Sequence, residues 1–434
     1  MRTYDTYKDS GISWLGQIPS HWESRKFKFT FSERKQKGFP DEPLLAATQS
    51  HGVIPKDLYE TRTMVATKGL ETLKLVEKGD FVISLRSFQG GIEYAYYRGI
   101  ISPAYTVLTP TAISANYFKY LGKCQSFIAL LKSSVTGIRE GQNIDYIKLR
   151  ENLLPLPPVN EQDTIAAYLD NATAEIDKAI ASQQRMVELL QERKQIIINQ
   201  AVTQGLNPDA RLKDTGINWL GLIPAHWEAR KLKSICKYEK YSIKTGPFGT
   251  QLKGDDLMQN GAVRVYNQKN VIENSFDDVQ FYVSKEKARE LNSFYTQPQD
   301  LLITSRGTIG KCSILPENAP MGLLHPCLIA IRINQKICDL NWAQIFISSS
   351  LFFSTNIFLN SNATTIEVIY TDTLKNVVIP LPPLSEQQEI VAYIKREASK
   401  VDHALQQTKL KIELLTERKQ ILINDVVTGK IKVV

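Results

Sequence analysis

KDSGISWLGQIPSHWESRK, residues Lys8 to Lys26, returns as KDTGINWLGLIPAHWEARK, residues Lys213 to Lys231, with fourteen of nineteen positions identical at a constant offset of 205. A second pair, LPLPPVNEQDTIAAYL from Leu154 and IPLPPLSEQQEIVAYI from Ile379, is offset by 225. It continues without a gap through ELLQERKQIIINQAVT (Glu188 to Thr203) and ELLTERKQILINDVVT (Glu413 to Thr428). Self-similarity of this kind means one pattern written twice: a WLG-IP-HW block, a variable region, a Pro-rich hinge and a helix. The change of offset places about twenty extra residues inside the second variable region and leaves both flanks unchanged. A constant frame around unlike inserts suits a reader; a plain duplication that adds only pseudosymmetric stability is the alternative.

The hinges, Pro155, Pro157 and Pro158 and again Pro380, Pro382 and Pro383, impose fixed φ and remove N–H donors, so each helix must start after its hinge. Asn160 is the expected N-cap of the first helix, and Ser385, with Gln388 three residues on, that of the second. Gly205 and Gly429 stand where a C′ glycine belongs. Between caps, Leu169, Thr173, Ile176, Ile180, Gln183, Val187, Leu190, Lys194 and Ile197 recur with 4,3 spacing, as do Ile394, Ala398, Val401, Leu405, Thr408, Ile412, Leu415, Lys419 and Leu422. These seams are expected to pair antiparallel, with polar Gln183 and Thr408 either setting the register or merely tolerated. Roughly 43 helical residues at about 1.5 Å each give a rod of about 65 Å, more than one turn of B-DNA.

The variable regions, about residues 25–150 and 230–375, read as mixed α/β, with short apolar runs such as FVISL (Phe81 to Leu85) and LLITS (Leu301 to Ser305) suited to buried strands. The expected fold class is α/β: two globular mixed α/β domains joined by two long antiparallel coiled-coil helices in a pseudo-twofold, circular repeat. Domain bounds are expected at residues 1–154, 155–205 (hinge and helix), 206–379 and 380–434 (hinge and helix).

In both regions an Asp precedes the strand and an Arg follows it, Asp80 with Arg86 and Asp300 with Arg306. An Arg on a strand-end loop suits guanine or phosphate; a structural ion pair with a neighbouring acid is the competing reading. The same loops add Ser87 and Gln89, and Thr308 and Lys311. Further glycine-flanked candidates are Arg139, Gln142 and Asn143 in the first region, and Lys244, Gln251, Lys253, Arg264 and Asn267 in the second. These residue types contact base edges and phosphates, although each alone is more often a solvated surface residue. The net charge of +8 permits a polyanionic partner without requiring one.

Catalytic signatures are missing. GTIGKC from Gly307 fails as a P-loop, and neither GxGxxG, HExxH, GxSxG nor an NPPY-like segment occurs. Five scattered cysteines, Cys124, Cys236, Cys312, Cys327 and Cys338, show no CxxC spacing and read as buried small apolar residues. His21 and His226 recur with their block and are expected to pack, with the following Trp, at the rod ends. No apolar run reaches about 18 residues and no signal-peptide pattern opens the chain, so a prokaryotic cytoplasm is the expected location.

WLGxIPxHW, LPLPPxxEQ and ELLxERKQxxIxxxVTG, each present twice, resemble the repeats of type I restriction-modification specificity subunits over nearly the whole chain. SLRSFQGGI with SPAYTVL, and KTGPFGTQLK with ITSRGTIGK, also look like segments of that family's target-recognition domains. The resemblance implies sequence-specific double-stranded DNA binding at a split, asymmetric site with a fixed spacer. It further implies docking of two modification subunits on the helices, with restriction subunits joining through the complex. Methyl transfer from S-adenosylmethionine and ATP- and magnesium-dependent translocation and cleavage would belong to those partners, so this chain would carry no cofactor or metal and would not itself be an enzyme. A coiled-coil scaffold that never reads DNA is the principal alternative, and a cryptic nucleic-acid enzyme the remoter one.

Overall fold

The computed structural model describes residues 2–59, 69–136, 143–218, 220–350, 353 and 368–433. The chain divides into two units, one of residues 1–185 with 409–434 and one of residues 186–408. Both cuts fall inside long helices, so each unit holds the first part of one helix and the last part of the other. Mixed α/β domains are joined by two long helices, as the repeat leads one to expect.

The first unit is organised on four antiparallel strands, β1 (Phe31–Arg34), β2 (Phe81–Ile83), β3 (Glu93–Tyr94) and β4 (Thr106–Pro110), in the order β1-β4-β2-β3. Helix α1 follows at Val159–Gln204. The second unit repeats the plan with β5 (Ile243–Thr245), β6 (Leu301–Thr304), β7 (Cys312–Ile314) and β8 (Leu328–Ile331), in the order β5-β8-β6-β7, and then α2 at Leu384–Val427. The runs FVISL and LLITS supply β2 and β6; every residue of both strands is buried, which is why they are apolar without alternation.

The extra length of the second unit lies outside this common sheet; there Val263–Tyr266, Phe281–Val283 and Gly322–Leu324 form a three-stranded sheet, and the first unit pairs Leu45–Thr48 with Gly52–Pro55 and Lys74–Val76 with Gly99–Ile101. Its insertion leaves the frame unchanged because each variable region is closed at its base. Glu23–Lys26 pairs with the hinge strand Leu153–Leu156, and Glu228–Lys231 pairs with Val378–Leu381.

The repeated blocks are explained by one arrangement built twice. Trp22 is fully buried, and its indole N–H donates to Glu161 in the first turn of α1 at 3.0 Å; His21 and the Tyr4 hydroxyl meet the same carboxylate at 2.8 and 2.6 Å. In the second unit Trp227 and His226 meet Glu386 at 3.0 and 2.8 Å. The neighbouring Gln162 donates to the Pro157 carbonyl and accepts from the Ser114 N–H, while Gln387 donates to Pro382 and accepts from Asp339. The EQ pair of the hinge motif therefore ties block, hinge and recognition domain together, and a carboxylate in the first turn also complements the helix dipole.

Trp22 touches the start of α1 and also lies beside Gly429, two residues past the end of α2, since a Cβ there would stand 3.1 Å from its ring. Asp177 and Lys419 pair at 2.6 Å farther along the same unit, so these two helix segments run antiparallel. In the second unit Trp227 meets both Glu386 and Gly205, and Lys194 pairs with Asp402 at 2.6 Å, which gives the same sense. At their 46 and 44 residues, α1 and α2 are about 69 and 66 Å long.

All the seam positions named from sequence are buried or half-buried. Leu169, Ile176, Ile180, Ile412, Leu415 and Leu422 belong to the first unit, and Val187, Leu190, Ile197, Ile394, Val401 and Leu405 to the second. The Thr408 hydroxyl donates to the Ala404 carbonyl of its own helix at 2.8 Å. Lys194 with Asp402 and Lys419 with Asp177 are polar links between the helices.

The expected N-caps are also corrected. Both helices begin two residues earlier than caps at Asn160 and Ser385 would start them, at Val159 and Leu384, and the carbonyls of Pro158 and Pro383 receive the first helical N–H bonds. A proline fits there because its absent N–H would have had no partner. Gly429 and Gly205 do end the helices, at φ +79 and +76. A Cβ on Gly429 would stand 2.4 Å from Pro19, so Gly429→Ala combines a left-handed penalty of about 1–2 kcal/mol with a clash, and a loss above about 2 kcal/mol in urea unfolding is expected. Among the described residues no helix is long and apolar enough to cross a membrane.

Candidate nucleic-acid interface

Strand order alone gathers loops at one end of each sheet. In the second unit Thr245 pairs with Ile329 and Thr304 with Leu328, so the end of β5, the end of β6 and the start of β8 coincide. The segment before Thr371 joins them: the Ile369 N–H donates to Ser305 at 2.9 Å, and the hydroxyls of Thr245 and Thr371 meet at 2.6 Å. The Gln268 side chain donates to the Arg306 carbonyl from a fifth segment. Exposed on this end are Arg306, Thr308 and Lys311 after β6, and Gln251 and Lys253 after β5, all anticipated from sequence. Phe248 and Tyr370, each 60% exposed, were not anticipated.

The first unit places its loops in the same way, because Arg34 pairs with Val107 and Ile83 with Thr106. Arg86 and Gln89 are exposed on the segment after β2, and Lys35 and Lys37 on the segment after β1, the last two unforeseen. Asn143 is exposed on a short strand beside the Ser87–Gly90 turn. Arg139 and Gln142 lie outside the described residues.

Four candidates turn out to hold the fold. Ser87 is buried, and its hydroxyl accepts the Ser84 N–H at 2.8 Å. Lys244 is buried with its ammonium on the carbonyls of Ser293 (3.1 Å) and Tyr295 (2.5 Å). Burial pushes that amine down to about 8. Asn267 is a buried N-cap that accepts from Lys269 and Asn270, and the Arg264 guanidinium is spent on the carbonyls of Phe276 and Asp277.

Asp80 and Asp300 are the structural ion-pair partners of the competing reading, but with arginines the sequence did not single out. Asp80, 2% exposed, accepts from Arg34 Nε at 2.6 Å, Arg34 Nη2 at 3.2 Å, Thr109 at 2.8 Å and the Glu77 N–H at 2.9 Å. Asp300, 1% exposed, accepts from Arg332 Nε at 3.1 Å and the Gln297 N–H at 2.8 Å. Burial raises the Asp300 carboxyl above its ordinary range, while Gln297 and Arg332 pull it back. The acids thus brace the far end of each sheet, and Arg86 and Arg306 remain exposed at the loop end.

Cys124, Cys236, Cys312 and Cys338 are buried and Cys327 half-buried, and burial pushes the Cys124 and Cys236 thiols up to about 12, which leaves them poor nucleophiles. Among the described residues no cluster of His, Cys, Asp and Glu suits a metal ion.

Each unit also exposes an apolar stripe on its helix segments. Met186, Leu189 and Ile196 form one in the second unit, and Leu410, Leu414 and Ile421 the other in the first. Leu189 and Leu414, like Ile196 and Ile421, are equivalents in the repeat.

Residues 224–414 match the profile of a family described as the type I restriction modification DNA specificity domain. The specificity subunits of the type I restriction enzymes EcoBI and EcoKI of Escherichia coli are each 27% identical, over 255 and 280 residues. Those matches take in 57% and 62% of this chain, and 52% and 56%, about half, of the relatives' own length. The putative type I restriction enzyme MjaX specificity subunit of Methanocaldococcus jannaschii is 23% identical over 450 residues, 96% of both chains. Among solved structures, a chain described under "Structural basis underlying complex assembly and conformational transition of the type I R-M system" superposes with a TM-score of 0.72 at 15% identity, covering 95% of this chain and 99% of its own. The HsdS subunit from Thermoanaerobacter tengcongensis gives 0.52, also at 15% identity, with 95% and 98% covered. At that identity the two structures speak for the fold.

Proposed function

We propose that this chain, which belongs to the family of type I restriction-modification specificity subunits, reads two separate half-sites of one DNA duplex, one with the loop cluster of each unit. DNA sequence recognition within a restriction-modification complex is the role of that family. The observation that carries the finer reading is the duplicated loop end: the segment after the equivalent strand, β2 or β6, exposes an arginine in both units, amid residues that differ otherwise. Arg86 and Arg306 are suited to guanine edges or phosphates, and Lys35, Lys37, Lys253 and Lys311 to the backbone, where counterion release makes binding salt-dependent. Unlike loops on like sheets give an asymmetric, bipartite site, and α1 and α2 fix the spacer between its halves.

Catalysis belongs in this reading to partners. Two modification subunits would dock on the two apolar stripes and transfer methyl groups from S-adenosylmethionine, and restriction subunits that use ATP and magnesium would join through them. One stripe per unit supports two copies of the partner. The stripes alone would equally serve a scaffold that never reads DNA.

A chimera separates the two readings. The paired strands at the base of each variable region allow residues 232–377 to be replaced by a second copy of residues 27–152 without disturbing the frame. Expressed with the modification subunit, this chain is expected to direct methylation to a symmetric site made of the first half-site and its inverted copy. A folded, assembled chimera that methylates the original asymmetric site would refute the assignment of one half-site to each unit.

A further inference from the structure

Phe248 stands at the tip of the loop after β5 with its ring in solvent, although the backbone beneath it is braced on both sides. At the base, Gly246 donates to the Leu328 carbonyl at 2.9 Å, and it leaves no room for a side chain, because a Cβ would lie 2.2 Å from the His325 carbonyl oxygen. Beyond the tip, the Gln251 N–H donates to the Phe248 carbonyl at 2.7 Å, and the Gln251 side-chain oxygen accepts the Phe248 N–H at 3.1 Å. Leu252, next in the chain, is buried in a cluster with Val265, Val283 and Leu291 and anchors the outgoing arm.

Tyr370 adjoins the base of this loop. Its neighbours Ile369 and Thr371 bond Ser305 and Thr245, so its exposed ring stands between the segments that follow β5 and β6. A lone exposed aromatic on a protein surface is ordinary. Two on adjoining segments, one at a braced tip, among the exposed cations Arg306, Lys311 and Lys253, form the combination that stacks on nucleobases while the backbone is neutralised.

We propose that Phe248 is a wedge that enters and unstacks one base step of the half-site read by the second unit, with Tyr370 as a second stacking surface. The wedge selects a half-site that contains a pyrimidine–purine step. Such steps unstack at least cost, so the ring reads deformability where Arg306 reads a base edge. The inference rests on the reading that this loop cluster contacts DNA.

The test uses the full chain assembled with its modification subunits and a duplex carrying the mapped site. 2-Aminopurine is placed at successive positions of the second half-site, away from the methylated adenine. Binding of the unaltered complex is expected to raise fluorescence at one step. Phe248→Ala should abolish that rise, weaken specific binding about ten- to hundredfold and leave the unfolding midpoint unchanged; Phe248→Trp should retain the rise. Tight specific binding with every position dark overturns the wedge and leaves DNA reading intact. So does a Phe248→Ala complex that binds and fluoresces like the original, or one whose only defect is weaker association with the modification subunits. Absence of any sequence-specific binding by the unaltered complex overturns the underlying reading and the wedge with it.

Discussion

Asp80→Ala in the first unit and Asp300→Ala in the second are each expected to lose about 3–5 kcal/mol of stability, because each deletes the buried carboxylate of an ion pair together with the hydrogen bonds that it accepts. Asp80→Ala would strip acceptors from Arg34, Thr109 and the Glu77 N–H together. Asp300→Ala would leave Arg332, itself 9% exposed, with Glu239 as its remaining carboxylate. The asparagine variants keep an oxygen for the backbone N–H and should lose less. Urea unfolding of the isolated chain checks this, and losses below about 1 kcal/mol for both alanine variants would show that the two acids do not brace the sheets.

The second large effect concerns spacing. Inserting one heptad at matching seam positions of α1 and α2 keeps the apolar stripe in phase and lengthens each helix by about 10.5 Å, close to three base pairs of B-DNA. The methylated site is expected to keep both halves and to gain about three base pairs of unspecified spacer. An insertion in one helix alone should instead break the pairing of Lys194 with Asp402 or of Lys419 with Asp177 and destroy assembly. A functional double insertion with an unchanged spacer would show that the helices do not set the distance.

The frame was legible in the sequence because its contacts are made by the repeated residues themselves. Trp22 with Glu161 and Trp227 with Glu386 join landmarks of the pattern, and Gly205 and Gly429 are required by the backbone they end. The seam was legible because 4,3 spacing is a local property that burial then follows. The helix starts were misplaced by two residues because the caps are proline carbonyls, which carry no side-chain signature.

The interface was only partly legible, since exposure is decided by partners remote in the chain. Lys244 looks like a surface lysine beside a glycine loop until Ser293 and Tyr295 fold over it. Arg34 and Arg332 gave no hint that they, rather than Arg86 and Arg306, meet the acids, because sheet order brings them there. Phe248 reads as core in any composition argument; the Gly246 contacts with His325 and Leu328 that brace its loop are tertiary, and the Gln251 turn that closes the tip has no pattern in the sequence. Arg306 and Arg86 were found because a strand end is a local signal and the repeat supplied it twice.

The most direct measurement is a map of methylated adenines in the DNA of cells that express this chain with its modification subunit, read by single-molecule sequencing. The account predicts a split site, with two unlike specified parts separated by a gap of fixed length and methylation dependent on this chain. A continuous site, or methylation that stays random in a stably assembled complex, would contradict it.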